Sequence, residues 1–239
     1  MKMLIIPDVH LKHEMFQKAT LLMEQGVADQ TVCLMDIPDD WGKEKDVNLY
    51  IETFDAAIQF AKDFPNTLWC YGNHELSYQW NKYESGYSNA AKYDVQKKLL
   101  ELRLLLMEQQ SLQYIHRVDN VIFAHGGLSQ TFVELFVPSK QQNDLDEVIK
   151  TVNNLGLEEM WCDISPIWFR PQYSPLRLYE PPGSRVLHVV GHTPVEKIIR
   201  HENFISCDVF STDRTGTPIG TEEFLLLDTI TWEHSGVKI

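Results

Sequence analysis

Five short motifs contain the carboxylate, imidazole and amide side chains that bind divalent metal ions in proteins. They are Asp8-Val9-His10, Asp36-Ile37-Pro38-Asp39, Gly72-Asn73-His74-Glu75, His125-Gly126-Gly127 and Gly191-His192-Thr193-Pro194. Oxygen and imidazole ligands suit manganese, iron, zinc, cobalt and nickel. A single Asp-x-His pair is more often a helix cap or a surface pair than a pair of ligands. Six candidate ligands at the ends of predicted strands, however, indicate a metal centre: Asp8, His10, Asp36, Asn73, His125 and His192.

The first three motifs each follow a short apolar run of strand-forming residues, at 3–6, 31–35 and 67–71. Segments with helical periodicity separate these runs, at about 12–25 and 46–63. This β-α-β-α-β order predicts parallel strands joined by crossover helices. In such sheets, reactive side chains gather beyond the carboxyl ends of the strands. We therefore expect the three motifs to lie close together.

The middle of the chain predicts further scaffold around this site. A leucine-rich stretch at about 88–108 favours a largely buried helix. Runs at 112–116 and 120–124 favour a hairpin, and its second strand leads to the fourth motif. A helical stretch at about 143–158 precedes a proline-rich segment at 161–183. That composition predicts a long loop, which at this length often carries function.

The last third of the sequence predicts antiparallel strands, at 185–190, 196–200, 203–208, 222–228 and 231–235. Periodicity alone therefore gives an α/β fold with a β-rich end. No repeat, low-complexity tract or linker interrupts the chain. We expect one domain spanning residues 1–239, which is long enough to bury a substantial core.

The composition argues against several classes of function. The formal net charge of -13 does not suit general nucleic-acid binding, which draws on a basic surface. An anionic substrate is still compatible, because bound cations can make the local field positive. No apolar run approaches the roughly 20 residues that span a bilayer, and the apolar start is too short for a signal peptide, so we expect a cytoplasmic protein. The four cysteines form no Cys-x-x-Cys pair, and we expect them to be reduced: Cys33, Cys70, Cys162 and Cys207.

In their order along the chain, the five motifs resemble those of the calcineurin-like metallophosphoesterases. The resemblance extends to the phosphoprotein phosphatase branch, which includes small phage lambda-type serine/threonine protein phosphatases. It implies a four-layer α/β/β/α sandwich with two mixed β-sheets and metals at the C-terminal ends of strands. It also implies two divalent metal ions, with manganese expected first and iron, zinc, nickel or cobalt as alternatives. One ion would be held by Asp8, His10 and Asp36, and the other by Asp36, Asn73, His125 and His192, so that Asp36 bridges them.

The resemblance also implies the chemistry. Two cations held close together can generate a hydroxide from a bridging water and bind the phosphoryl oxygens of an in-line displacement. His74 would protonate the leaving alkoxide while Asp39 orients its imidazole, although His74 could instead be a ligand or make a structural hydrogen bond. Pro194 stands where many metallophosphoesterases outside this branch have a histidine, so the first metal would keep an open position. We favour a packed strand position for His188, with an approach to the site as the alternative.

Two residues depart from the family's second motif, which usually reads Gly-Asp-x-x-Asp-Arg-Gly. Met35 replaces a glycine beside the expected bridging ligand, which would alter local geometry or metal affinity. Asp40 replaces an arginine that clamps the substrate phosphate, so an anion stands where a bidentate cation is expected. Arg170 is our candidate for the replacement cation, with Arg177 and Arg185 as alternatives.

Two groups of aromatic residues flank the motifs, and each could line a substrate groove or cover the core. They are Trp168, Phe169 and Tyr173 beside Arg170, and Tyr78, Trp80, Tyr83 and Tyr87 after the third motif.

We expect hydrolysis of phosphomonoesters, with a phosphorylated protein as the substrate most directly suggested and a small phosphate ester as another. Within the same class, the alternatives are a nucleotide or dinucleoside polyphosphate hydrolase and a phosphodiesterase, and Asp40 weakens the case for a protein phosphatase. From another class, a catalytically inactive metal-binding regulatory protein is motivated by Met35 and Asp40.

Overall fold

Eleven β-strands and seven α-helices follow one another in the computed structural model, which describes residues 1–239. The strands are β1 (Lys2–Ile6), β2 (Gln30–Cys33), β3 (Leu68–Cys70), β4 (Leu112–Gln113), β5 (Ile115–Val118), β6 (Val121–Ala124), β7 (Leu187–Val190), β8 (Ile199–Arg200), β9 (Phe204–Ser206), β10 (Phe224–Asp228) and β11 (His234–Val237). The helices are α1 (Glu14–Glu24), α2 (Val47–Asp63), α3 (Asn73–Trp80), α4 (Lys92–Glu108), α5 (Gln130–Phe136), α6 (Leu145–Val152) and α7 (Leu157–Met160).

The first sheet has six strands in the order β11-β10-β1-β2-β3-β4. Strands β1 to β4 are parallel, which confirms the predicted β-α-β-α-β opening. Strand β10 pairs antiparallel with both β1 and β11, as expected for the end of the chain. The predicted run at 112–116 is divided between the two sheets, because residues 112–113 pair with β3 while the following strand pairs with β6.

The second sheet has five strands in the order β5-β6-β7-β9-β8. The predicted hairpin of β5 and β6 is confirmed, as is an antiparallel pair of β8 and β9. The prediction that the last third is antiparallel throughout was wrong, since β7 is parallel to both β6 and β9. A long connection returns the chain to the start of the sheet before β7, and such a crossover produces a parallel pair.

Alternating side chains on each strand serve two different cores, as the two-residue period of a strand requires. Met3 and Ile5 of β1 face the second sheet and pack with residues such as Phe123 and Val189. The intervening residues of β1 face α1, α2 and α4 instead. On the far side of the second sheet, Ile122 packs with residues of α5 and α6. Helices therefore cover both outer faces of two packed sheets, which confirms the expected four-layer α/β/β/α sandwich.

The helices agree with the predicted periodicity except in four places, one of which is α5 (Gln130–Phe136), a helix that was not predicted. Helix α4 is amphipathic rather than largely buried, since Leu100, Leu104 and Met107 are more than half exposed. The predicted helix at 143–158 is two helices, α6 and α7, separated by a turn that contains Gly156. Helix α3, immediately after the third strand, was not predicted. None of the helices combines the length and the apolar character that crossing a membrane requires.

The buried ring of His188 lies in β7 and contacts backbone, which favours the packed position over an approach to the metal site. Its Nε2 lies 2.9 Å from the carbonyl oxygen of Tyr179. Burial lowers the pKa of His188 to about 4. An unfolded chain protonates a histidine near pH 6.5, so the folded state loses stability as the pH falls from that value towards 4.

This shift predicts a pH-dependent stability that a single substitution removes. Between pH 8 and pH 5, the unfolding free energy of the metal-free wild type should fall by about 2 kcal/mol more than that of His188→Gln. Urea denaturation in the presence of a chelator measures the difference. The exposed His234→Gln serves as the matched control and should follow the wild type. An identical pH dependence for all three proteins would contradict the prediction.

Candidate metal centre

The carboxyl ends of five strands deliver six candidate ligands to one place between the sheets. They are Asp8 and His10 after β1, Asp36 after β2, Asn73 after β3, His125 after β6 and His192 after β7. Three of them have left-handed backbone dihedrals, which turn the chain sharply as it leaves the strand: His10 (φ 42°), Asp36 (φ 44°) and His192 (φ 60°). The structure thus brings together all six residues that the sequence predicts as ligands.

Three ligand-type atoms surround the Nε2 atom of His125. The carboxylate Oδ2 of Asp36 and the amide Oδ1 of Asn73 each lie 3.0 Å away, and Nδ1 of His192 lies 3.1 Å away. The other ring nitrogen of His125 lies 2.9 Å from the carbonyl oxygen of Leu34, to which it donates as the N–H tautomer. That hydrogen bond directs Nε2 towards the other ligand atoms, so its lone pair would be available to a bound cation in place of a proton.

A second group of potential ligands shares Asp36 with the first. The ligand atoms of His10, Asp36 and His74 all lie within 4.8 Å of one another, as do those of Asp36, His125 and His192. Asp36 is therefore common to two groups that could each hold a cation. Asp8 borders them, with its Oδ2 accepting a hydrogen bond of 2.8 Å from the backbone N–H of His192.

Two glycines allow the carboxylates to approach the backbone of neighbouring motifs. A Cβ atom at Gly72 would overlap Oδ1 of Asp36, and a Cβ atom at Gly191 would overlap Oδ1 of Asp8. Any larger residue at either position would push the carboxylate out of place. These glycines explain why the third and fifth motifs begin as they do.

The buried polar atoms at this site suit divalent cations. Oδ1 of Asp8, Oδ2 of Asp208 and Nε2 of His192 are buried and have no hydrogen-bond partner in the protein. Burial and the nearby carboxylates of Asp208 and Asp36 raise the pKa of Asp8 well above its usual value. Burial, with the charges of His125 and Arg170, lowers the pKa of His192 and keeps its imidazole neutral. A buried carboxylate oxygen without a partner is costly, and a bound cation would compensate it. Asp208 was missed in the sequence because it belongs to no motif.

His74 forms a tightly supported pair with Asp39. Its Nδ1 lies 2.8 Å from Oδ2 of Asp39. The other oxygen of Asp39 accepts hydrogen bonds from the hydroxyls of Tyr50 (3.0 Å) and Tyr78 (2.5 Å). Burial disfavours a charge on His74, but three carboxylates outweigh it and raise its pKa well above the usual value: those of Asp36, Glu84 and Asp39. The pair can hold a proton on His74 beside the candidate ligands.

Glu75 supports the turn that carries Asp36, a role that the sequence did not reveal although Glu75 lies within a recognised motif. It is fully buried, and its two oxygens accept hydrogen bonds from the backbone N–H groups of Asp36 (3.2 Å) and Ile37 (2.5 Å). Burial and the charge of Asp36 raise the pKa of Glu75 to about 8. The α3 helix thereby fixes the loop after β2.

A cavity of about 200 Å³ opens onto His10, His74 and His192 and is also lined by Arg170. Nη1 of Arg170 donates to the carbonyl oxygen of His192 (2.9 Å) and to Oγ1 of Thr193 (3.1 Å), which leaves the rest of the guanidinium for a ligand. Neither of the alternative arginines lines this cavity. Arg177 is exposed at the surface, and Arg185 lies over the ring of Trp232.

The two departures from the family motif have local structural consequences. Asp40 lines the cavity, but its carboxylate is occupied by Lys12 (3.3 Å), by the backbone N–H of Trp41 (2.9 Å) and by the hydroxyl of Thr212. It therefore joins three loops instead of binding phosphate. Met35 has φ 60°, a conformation that favours glycine, and its side chain is completely buried. The local geometry that we expected Met35 to alter is this turn, in which a non-glycine residue has a left-handed backbone.

The two aromatic groups divide between the core, the site and the surface. Phe169 and Tyr78 are buried, whereas Tyr173 and Tyr83 are exposed. Trp168 lies edge-on to the ring of His192, with the ring centroids 5.5 Å apart. Tyr78 and Trp80 belong to α3, and the buried Tyr78 supports the pair of His74 and Asp39.

This fold and this arrangement of side chains define a metallophosphoesterase. The family model of calcineurin-like phosphoesterases matches residues 1–215, so the chain belongs to that family. It is accordingly a phosphoester hydrolase of a family that depends on divalent metals. No curated protein matches the chain.

Several solved structures are similar to this chain. A cold-active protein-tyrosine phosphatase of a psychrophilic Shewanella species is 20% identical, with a TM-score of 0.58 over 99% of this chain and 80% of that chain. A Saccharomyces cerevisiae protein serine/threonine phosphatase is 14% identical, with a TM-score of 0.48 over 95% and 72%. A metallophosphoesterase from Sphaerobacter thermophilus is 15% identical, with a TM-score of 0.45 over 100% and 89%. The similarity to the Shewanella enzyme shows a shared fold.

Proposed function

We propose that this phosphoester hydrolase cleaves phosphomonoesters with two divalent cations, and that phosphoserine or phosphothreonine in proteins is the first substrate to test. The observation that carries the proposal is the pair of His74 and Asp39, which opens onto the same cavity as His10, His192 and Arg170. A proton donor beside a metal centre suits an ester with a strongly basic leaving group.

In this proposal, one cation would be held by Asp8, His10 and Asp36, and the other by Asp36, Asn73, His125 and His192. When bound, the cations would stabilise charge on the phosphoryl oxygens and activate a water molecule.

The chain's own residues would perform the remaining steps. Arg170 would bind the phosphoryl group and orient it within the cavity. As water adds to phosphorus and the ester P–O bond breaks, His74 would give its Nε2 proton to the leaving oxygen. Asp39, fixed by Tyr50 and Tyr78, would hold the Nδ1 side of the imidazole during that transfer.

A second candidate is the hydrolysis of phosphodiesters or dinucleoside polyphosphates, because Asp40 replaces the phosphate-clamping arginine of the family motif and so weakens the case for a protein phosphatase. A substrate panel separates the two: para-nitrophenyl phosphate, its bis-ester, a phosphopeptide and a dinucleoside tetraphosphate. Manganese would be added to protein purified without a chelator, after elemental analysis. Turnover of the monoesters supports the first proposal, whereas exclusive cleavage of diesters contradicts it. Bound metal without turnover of any substrate indicates an inactive binding protein.

Metal binding should also appear as thermal stability. A ligand at about 100 times its Kd stabilises a folded protein by about 2.7 kcal/mol, so manganese should raise the Tm of chelator-treated protein by roughly 5–10 °C. Differential scanning calorimetry with manganese, iron, zinc, cobalt and nickel would rank the metals. The lack of a shift with all five would contradict the proposed centre.

Arg170→Ala should raise KM for para-nitrophenyl phosphate by about tenfold or more, because the variant loses a charged hydrogen-bond donor to the phosphoryl group. Arg170→Lys keeps the charge but not the planar fork, so we expect only a partial recovery. Steady-state kinetics measure both. The exposed Arg177→Ala is the control and should match the wild type, and an unchanged KM in Arg170→Ala would exclude this role.

A further inference from the structure

The carboxylate of Glu84 lies over the N-terminal end of α3, which carries Asn73 and His74, although Glu84 belongs to none of the five motifs. It stands in the connection between α3 and α4, and its side chain is 9% exposed. Oε1 of Glu84 lies 2.5 Å from the amide Nδ2 of Asn73 and 3.5 Å from Nε2 of His74. Glu84 thus contacts two consecutive residues of the site.

The connection that carries Glu84 is anchored directly after it, through residues 86–88. The backbone N–H of Ser88 donates to the hydroxyl of Tyr78 (2.7 Å), and the ring of Tyr87 stacks on that of Tyr78 at 4.2 Å between centroids. A Cβ atom at Gly86 would lie 3.3 Å from Cβ of Asp39, so the connection passes close to that residue. These contacts fix the segment around the Glu84 carboxylate through Tyr78, which also supports Asp39.

The contact with Asn73 fixes the orientation of its amide. Because Nδ2 donates to Glu84, Oδ1 must face the opposite way, and it lies 3.0 Å from Nε2 of His125. That arrangement presents the amide oxygen to the metal centre. A glutamine at position 84 would keep this hydrogen bond, since its amide oxygen also accepts.

The contact with His74 places a negative charge beside the nitrogen that would protonate the leaving group, directly before the cavity-lining Ser85 and Gly86. Nδ1 of His74 is occupied by Asp39, so only Nε2 can deliver a proton to the substrate. Nε2 faces Glu84. Arg170 contacts the backbone of His192 elsewhere in the cavity, and Asp40 is paired with Lys12. At 3.5 Å, Glu84 is the carboxylate closest to this nitrogen, and Asp36, which belongs to one group of potential ligands with His74, lies farther away.

We infer that Glu84 selects the leaving group by charge, disfavouring anionic leaving groups and favouring neutral or cationic ones. This inference rests on the proposed function of His74. Glu84 would favour phosphate esters of amino alcohols, or of hydroxyl side chains beside basic residues. It would disfavour polyphosphates, whose leaving group is itself a phosphate. Two unit charges several ångströms apart in a partly buried site interact strongly enough to change relative rates by about tenfold.

Three alkyl phosphates of similar size test the inference: O-phosphoethanolamine, ethyl phosphate and 2-phosphoglycolate. Their leaving groups carry an ammonium, no charge and a carboxylate. The ratio of kcat/KM for phosphoethanolamine to that for phosphoglycolate, measured with manganese at pH 8, should fall by about tenfold from the wild type to Glu84→Gln. The intrinsic reactivities of the esters cancel in this comparison. The exposed Glu158→Gln is the matched control and should keep the wild-type ratio.

The possible failures can be distinguished. Turnover with the same ratio in the wild type and in Glu84→Gln overturns the selection by charge. A loss of bound metal in Glu84→Gln, measured by elemental analysis, would make Glu84 a ligand and also overturns it. If the wild type hydrolyses neither these esters nor para-nitrophenyl phosphate, the proposed phosphomonoesterase function itself fails.

Discussion

Asp36→Asn should abolish phosphoesterase activity and reduce the bound metal from about two ions per chain to fewer than one. We expect kcat/KM to fall by at least about 10³-fold. Substitution of residues that only support a metal ligand commonly costs 10–100-fold, and Asp36 is proposed to bind both ions directly. Elemental analysis of protein purified without chelator, together with manganese-supplemented assays, measures the two effects.

The position of Asp36 explains why its loss should affect both ions. Its carboxylate lies 3.0 Å from Nε2 of His125 and accepts a hydrogen bond of 3.0 Å from the backbone N–H of His74. Burial opposes its ionisation, but the imidazoles of His125 and His74 outweigh burial and lower the pKa of Asp36. An asparagine of the same shape keeps the packing and removes the charge that both groups of ligands share.

The control for this variant is Asp163→Asn, the same change at an exposed aspartate. It should retain two metals and full activity. Circular dichroism should show that Asp36→Asn is folded, so that the loss can be assigned to the site. An Asp36→Asn protein that keeps two metals and normal turnover would refute the proposed bridging role.

The sequence predicted the position of the site because each ligand directly follows a local strand signal. Helices α1 and α2 could also be predicted, because their apolar periodicity is local. In addition, Asp46 caps α2 through the N–H of Leu49. The parallel pairing of β7 could not be predicted from local patterns. Its neighbours β6 and β9 are separated from it by α5 to α7 on one side and by β8 on the other, and the sequence pattern does not specify the path of these connections.

The support around the site was harder to predict because it comes from distant parts of the chain. The hydroxyls that fix Asp39 belong to Tyr50 and Tyr78, which look like ordinary core residues of two helices. Asp40 appeared to be an anion facing the substrate, yet Lys12 and Thr212 occupy it. Their separations of 28 and 172 residues leave no local signal.

His74→Asn should lower kcat for a phosphopeptide by about 10²–10⁴-fold while the protein keeps its metals. An alkoxide leaving group is strongly basic, so the loss of a proton donor should have a large effect on its departure. The para-nitrophenolate ion is a much weaker base and can leave with little protonation. We therefore expect para-nitrophenyl phosphate to lose about tenfold at most, because general-acid assistance follows the basicity of the leaving group.

This dependence on the leaving group distinguishes a proton donor from a metal ligand. His74 lies in a group with His10 and Asp36 that could itself hold a cation. If His74 were a ligand, His74→Asn would lose metal and slow both substrates to a similar extent. The exposed His201→Asn provides the control and should behave as the wild type.

Asp39→Asn should resemble His74→Asn in its preference for the activated substrate, but with a smaller loss of activity. The imidazole of His74 would remain, and only its orientation and charge would be weakened.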